Sequence, residues 1–297
     1  MITRQLPRLS SNGFDIEPDR LGFLTPTQPN QSRDVLWSQY QDQGYLWLKG
    51  LLDRQTVLDF RERVFNTLAE TGMVSAPFYD GIFSGETTYK VHPNKLLMEM
   101  VRWSAFEAFC LAKPIIDFYE WFLEGSVYLH KRKILRYTKP HDPNATGPHY
   151  DLVYLRGGTD RICTSWIPVG DIPVEMGGLV YLENSDGRGR TMEAEFSKRN
   201  ANLPPNERID AYNKNMGDGG WLDKNLMRLA EKFDTRWLIA DYEAGDMVVH
   251  SPYMIHASTQ NVDPHNRIRL STDIRYQLVR DEIDVRWANH WSLEDML

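Results

Sequence analysis

Gly147-Pro148-His149-Tyr150-Asp151-Leu152-Val153-Tyr154 places a histidine and an aspartate two residues apart. On a β-strand, residues i and i+2 project from one face, so His149 and Asp151 are expected side by side. An imidazole and a carboxylate are two of the three protein ligands in a non-haem Fe(II) facial site, which leaves the opposite face of the metal open. Alone the pair says little, because most His-x-Asp pairs are surface or hydrogen-bonded structural residues. The rest of the chain has to supply a third ligand and an anchor for an anionic cosubstrate.

The third ligand has two candidates in Gly245-Asp246-Met247-Val248-Val249-His250-Ser251-Pro252-Tyr253-Met254-Ile255-His256. A histidine between apolar neighbours is more often a satisfied core residue than a ligand, so one of His250 and His256 is expected to be structural. Eleven residues past His256, Arg267 opens Arg267-Ile268-Arg269-Leu270-Ser271. A guanidinium grips a carboxylate with two parallel hydrogen bonds, which a lysine cannot match. If Arg267 faces inward, alternation puts Arg269, Ser271, Asp273 and Arg275 on the same inner face. Ile268, Leu270, Thr272, Ile274 and Tyr276 then face a helical layer. Arg269 is the second candidate anchor.

The flanking chain predicts the scaffold. Residues 1–33 read as an irregular arm. Asp34 and Asp53 are candidate caps of two helices separated by the strand Tyr45-Leu46-Trp47-Leu48, and a broad apolar face predicts further helix over 96–123. Short strands follow: 126–129, 133–137, 161–169, 179–182, 237–240, 246–250 and 267–276. Residues 186–235 read as an insert with Gly- and Asn-rich ends, expected to form a lid over the substrate. An early helical block followed by short strands predicts an α+β chain, a jelly-roll barrel braced by N-terminal helices, as one domain over 1–297.

Composition limits the partners. With 34 basic and 41 acidic residues the chain carries a net charge of −7, which argues against nucleic acid or an anionic membrane. Two cysteines are too few for a disulfide scaffold and predict a reducing, cytoplasmic setting. The N-terminus lacks a signal-peptide core, and no run approaches a membrane span.

Taken together, the chain resembles the phytanoyl-CoA dioxygenase family of Fe(II)/2-oxoglutarate oxygenases. Asp42 to Leu52 is similar to the family's N-terminal signature, His149-Tyr150-Asp151 to its His-x-Asp, and Met176 to Ser185 to the turn and strand that follow. Gly245 to Ser258 resembles its last metal strand. The resemblance implies a double-stranded β-helix, with His149, Asp151 and His256 as iron ligands and His250 structural. It implies that Arg267, helped by Ser258, grips the distal carboxylate of 2-oxoglutarate, with Trp166 beside it. The implied chemistry couples O2 activation to conversion of 2-oxoglutarate into succinate and CO2, with ascorbate as the reductant in vitro. Related halogenases lack the carboxylate, so Asp151 favours hydroxylation or another oxidative outcome.

Pro148 and Tyr150 depart from the residues commoner in the family, and the 186–235 insert is longer. All lie where substrate enters. Arg269, Asp273, Arg275 and Tyr150 are the expected substrate contacts. Charges lining a cavity need partners that a fatty acyl chain cannot supply, unless they pair with one another. The expected substrate is therefore a small polar metabolite of natural-product or amino-acid-derivative biosynthesis, as for relatives acting on ectoine or mycosporine-type amino acids. Acyl-CoA hydroxylation is the alternative within the family. A zinc hydrolase, which leaves Arg267 and Ser258 unexplained, and a non-catalytic jelly-roll binding protein are the alternatives outside it.

Overall fold

The computed structural model describes residues 7–28, 30–209 and 220–292. The N-terminal arm is more regular than its composition suggests. It contains the hairpin β1 (Leu9–Ser11) and β2 (Phe14–Ile16), then β3 (Leu21–Phe23). Helix α1 (Arg33–Gln43) is capped by Ser32, whose hydroxyl accepts from the Val35 amide, and not by Asp34. It ends at Gly44 in the left-handed conformation and leads straight into β4 (Tyr45–Leu48). Asp53 caps α2 (Arg54–Leu68) as expected. The apolar face over 96–123 is shared by three helices, α3 (Pro93–Met100), α4 (Ser104–Cys110) and α5 (Lys113–Leu123).

The remaining elements are β5 (Val127–Leu129), β6 (Ile134–Thr138), the one-turn α6 (Leu152–Leu155), β7 (Cys163–Pro168) and β8 (Leu179–Leu182). After them come α7 (Asp186–Arg199), α8 (Leu226–Phe233), β9 (Trp237–Ile239), β10 (Met247–His250), β11 (His256–Ser258) and β12 (Arg269–Leu278). The major sheet runs β4-β10-β7-β12-β5, with β6 also on β12. The minor sheet runs β11-β8-β9-β3, and His149 joins it through a bridge to His256. The arm thus supplies the edge strand β3, parallel to β9.

Two-residue alternation sorts the side chains between layers. One row of the major sheet, including Leu46, Ile167, Met247, Val249, Leu270, Ile274 and Tyr276, packs with α1 to α5 in the largest core. The opposite row sends Tyr45, Trp47, Trp166 and Val248 inward to meet Leu179, Tyr181 and Leu238 of the minor sheet. The minor sheet's outer face is covered by Phe196 of α7, by Leu226, Leu229 and Ala230 of α8, and by Leu9 and Ile16 of the arm. The described parts of the insert are therefore largely helix and core. Two facing, mainly antiparallel sheets braced by helices make a jelly-roll, or double-stranded β-helix, whose hydrogen bonding does not close into a continuous barrel. No helix among the described residues is long and apolar enough to cross a membrane.

Asp246 pins β10 to β4. Its buried carboxylate accepts from Trp47 Nε1 at 3.1 Å, Lys49 Nζ at 3.2 Å, the Gly50 amide at 3.1 Å and the Glu243 amide at 3.0 Å. Asp246→Ala would strand four donors. It is expected to cost about 3 kcal/mol, measured as a lower midpoint in urea, with Asp246→Asn losing less.

Candidate metal centre

His149, Asp151 and His256 converge from opposite edges of one chain segment pair. The amide and carbonyl of His149 exchange hydrogen bonds with those of His256 at 3.0 and 2.9 Å, which sets the two rings 4.3 Å apart between centroids. Asp151 does not continue the strand, as a simple i, i+2 reading requires. Its backbone is already helical (φ −65°, ψ −29°) at the head of α6, and this turn swings the carboxylate back toward the imidazoles. Each ring is oriented from behind. His149 Nδ1 lies 2.9 Å from the Gly147 carbonyl, and His256 Nδ1 2.9 Å from that of Met254. With Nδ1–H donated to a carbonyl, each Nε2 keeps its lone pair for the interior.

Both Nε2 atoms stand 3.6 Å from Asp151 Oδ1, too far for a hydrogen bond, and all three atoms lie within 4.8 Å of one another. Asp151 Oδ1 is buried and accepts no hydrogen bond. Oδ2, by contrast, accepts from the Thr164 hydroxyl and from Arg275 Nη2 at 3.1 Å, with His250 Nε2 at 3.4 Å. Burial works to raise the carboxyl's pKa, but Arg275 and then the histidines hold it well below the usual carboxylate range. Burial, then the neighbouring His149 and His250, keep His256 neutral. Three lone pairs around one gap repel unless a cation lies between them. The donor set, two imidazoles and a carboxylate with an open side, suits a divalent transition ion. His250, fully buried, donates to or accepts from the Tyr181 hydroxyl at 2.8 Å and braces Asp151; it is not in the metal-facing trio.

A family model described as phytanoyl-CoA dioxygenase matches residues 40–269. The chain belongs to the phytanoyl-CoA dioxygenase family. It is a non-haem Fe(II)/2-oxoglutarate-dependent oxygenase, and the centre just described has the ligands for that iron. A curated relative, the 1-deoxypentalenic acid 11-beta-hydroxylase of Streptomyces arenae, is 23% identical over 253 residues, covering 82% of this chain and 81% of that protein. The fold is similar to that of EctD from S. alaskensis with 2-oxoglutarate and 5-hydroxyectoine. There the TM-score is 0.56 at 15% identity, over 94% of this chain and 87% of that one. It is also similar to that of the epimerase SnoN in complex with Fe3+, alpha ketoglutarate and nogalamycin RO. That match has a TM-score of 0.55 at 17% identity, over 84% and 85% of the two chains.

The structure places the two candidate anchors, Arg267 and Arg269, in different surroundings. Arg267 precedes β12, and its guanidinium is clamped by Asp263 at 2.6 and 3.1 Å, where it is about one-third exposed. Arg269 is the arginine inside. It is 4% exposed, one Nη donates to the Gly177 carbonyl, and its Nε has no partner. Burial, then Arg136, pull its pKa down to about 10, so it remains a cation at neutral pH. Tyr150 is also corrected. Its side chain points away from the metal into the outer core and donates to Glu193 at 2.8 Å. Arg275 serves Asp151, while Asp273 pairs with Arg136 Nε at 2.7 Å. Trp166 is in the inner layer against Tyr242, and Ser258 Oγ accepts from the Thr146 amide at 2.9 Å, bracing the loop before His149.

Three residues absent from the sequence reading belong here. Thr164 lies two residues before Trp166, on the same face of that strand. Arg136 was a charge inside Ile134-Leu135-Arg136-Tyr137. Trp287, in the C-terminal tail, covers the Arg275 guanidinium at 4.9 Å and carried no signal. Arg269→Ala is expected to raise the 2-oxoglutarate Kd roughly 100-fold, whereas Arg267→Ala should change it less than about twofold and only loosen the β11–β12 loop. Calorimetric titration of 2-oxoglutarate into the metal-loaded variants decides between the two.

Proposed function

We propose that the enzyme oxidises a C–H bond of a small polar metabolite, with His149, Asp151 and His256 holding Fe(II) and Arg269 gripping the distal carboxylate of 2-oxoglutarate. The observation that carries this reading is the bare, buried Oδ1 of Asp151 facing two imidazole lone pairs, with a partnerless arginine nitrogen farther down the same row of β12. Bound there, iron and 2-oxoglutarate supply O2 activation coupled to decarboxylation to succinate and CO2. The side chains contribute geometry and charge. Thr164, Arg275 and His250 occupy Oδ2, leaving Asp151 one oxygen for the metal. The Ser258 hydroxyl, accepting from the backbone, still has its own hydrogen to offer a carboxylate. Trp166 and Tyr242 close the cavity floor against water.

The entrance is walled by the end of the insert. Trp221 lies so close over Gly147 that a Cβ there would fall 2.4 Å from the indole, and the Leu222 amide donates to the Pro148 carbonyl at 2.7 Å. This supports the insert, taken with the rest of 1–297 as one domain, as a cover over the substrate; residues 213–219 of its expected centre lie outside the described residues. Arg275 pairs with Asp151 and Asp273 with Arg136, but the donors left over on Arg136, Arg269 and Arg275 suit a polar molecule and offer nothing to a phytanoyl-like chain. The similar Streptomyces hydroxylase is named for a carboxylic acid, which agrees with those donors. One oxygen of O2 enters the substrate as a hydroxyl, and where that carbon bears nitrogen, loss of the N-alkyl group as an aldehyde follows.

Succinate formation with Fe(II), 2-oxoglutarate and ascorbate tests the reading. Polar carboxylic and amino-acid-like compounds are expected to stimulate it, and His149→Ala, Asp151→Ala and His256→Ala should each abolish both iron binding and turnover with the fold intact by circular dichroism. His250→Ala should retain some iron and lower the melting temperature. Turnover with a long-chain acyl-CoA, and none with polar compounds, would overturn the substrate class.

A further inference from the structure

Arg136 has no task in the reaction above. It lies on β6 opposite Ser271 of β12 and turns inward, where its Nε donates to Asp273 Oδ2 at 2.7 Å. That bond fixes the plane of the guanidinium and leaves both Nη groups without a partner among the described residues. The side chain is 43% accessible, against 6% for that of Arg275. A molecule entering the cavity therefore meets Arg136, while Arg269 and Arg275 are enclosed behind it.

Charge says what that molecule carries. The inward face of β6 and β12 carries three guanidinium groups, those of Arg136, Arg269 and Arg275, beside the carboxylates of Asp151 and Asp273, with Arg132 also buried nearby against Trp287. Fe(II) and the 2-oxoglutarate dianion cancel each other, so positive charge stays in excess on that face. Positive charge in excess beside buried Arg269 and Arg275 is costly, and an anion seated on the accessible Arg136 lowers that cost. Position separates this anion from the cosubstrate. 2-Oxoglutarate spans the line along β12 from the metal to Arg269, whereas Arg136 stands on the neighbouring strand, beside that line.

We infer that Arg136 anchors a carboxylate of the oxidised substrate, using its two Nη groups as a fork while Asp273 holds Nε. This rests on the Fe(II)/2-oxoglutarate reading. A fork aimed by a third hydrogen bond favours a planar carboxylate over an amide of the same shape, and over an amine altogether. The substrate is thus a carboxylic acid, and the carbon oxidised is set by its reach from Arg136 to the metal.

The test uses Zn(II)-substituted enzyme saturated with 2-oxoglutarate, so that binding is read without turnover. Cyclohexanecarboxylate and 1-adamantanecarboxylate are titrated calorimetrically against their primary amides. Wild type should bind at least one acid about tenfold more tightly than its amide. Arg136→Gln/Asp273→Asn, which strands neither partner, should erase that preference with 2-oxoglutarate affinity within about twofold, and Asp273→Asn alone should keep it. Acids and amides binding alike, or not at all, would overturn the proposal. So would a tenfold loss of 2-oxoglutarate affinity in the double variant, which assigns Arg136 to the cosubstrate. Failure of wild type to bind 2-oxoglutarate would instead indict the reading on which the proposal rests.

Discussion

The site depends on an asymmetry within one carboxylate. Asp151 Oδ2 is surrounded by the Thr164 hydroxyl, Arg275 and His250, while Oδ1 faces the two Nε2 atoms and receives nothing. A carboxylate free to rotate could give a metal both oxygens and crowd the positions that cosubstrate and O2 need. Saturating one oxygen makes the other a single, directed ligand. The donors come from three strands of the major sheet, β7, β12 and β10, so the sheet's register is what holds the coordination geometry.

That arrangement explains why a fold with a large apolar core keeps arginines inside. Arg275 is covered by Trp287 and aimed at Asp151, Arg269 is tethered to the Gly177 carbonyl, and Arg136 is tethered to Asp273. Each has one fixed contact and at least one unfilled donor. Gly177 has its own constraint: it sits at φ +70°, and a Cβ there would fall 2.4 Å from the Thr259 carbonyl. The Gly-Gly turn is thus packed against the β11–β12 loop at the point where Arg269 enters the cavity.

Much of this was legible in the sequence, for physical reasons. Period-two alternation marked the strands, the inward row of β12 and its outward apolar row, and the fold followed from their order after a helical block. The metal-facing trio was visible because His149 and Asp151 are adjacent and because a family signature singled out His256 over His250. What spacing alone does not show is which arginine is enclosed. The segment between β11 and β12 is held by Asn261 and Asp263, and Asp263 takes both the amide and the guanidinium of Arg267, whereas Arg269 is buried. Tyr150, between His149 and Asp151, points to the opposite face and to Glu193, as alternation alone would place it. Thr164, Arg136 and Trp287 act across long sequence separations, where a local pattern holds no record of a partner.

The span of these contacts has a consequence for biosynthesis. Arg275 reaches Asp151 across 124 residues, and the tail that covers Arg275 returns to the Tyr154 carbonyl across 133. Contacts so distant close long loops and cost more chain entropy than local ones. A chain emerging from the ribosome carries His149 and Asp151 long before His256, Arg275 and Trp287 exist to complete their surroundings. Until then it offers iron only two loose ligands and no enclosed cavity. The surroundings of Asp151 are thus complete only once Arg275 and the Trp287 that covers it are in place.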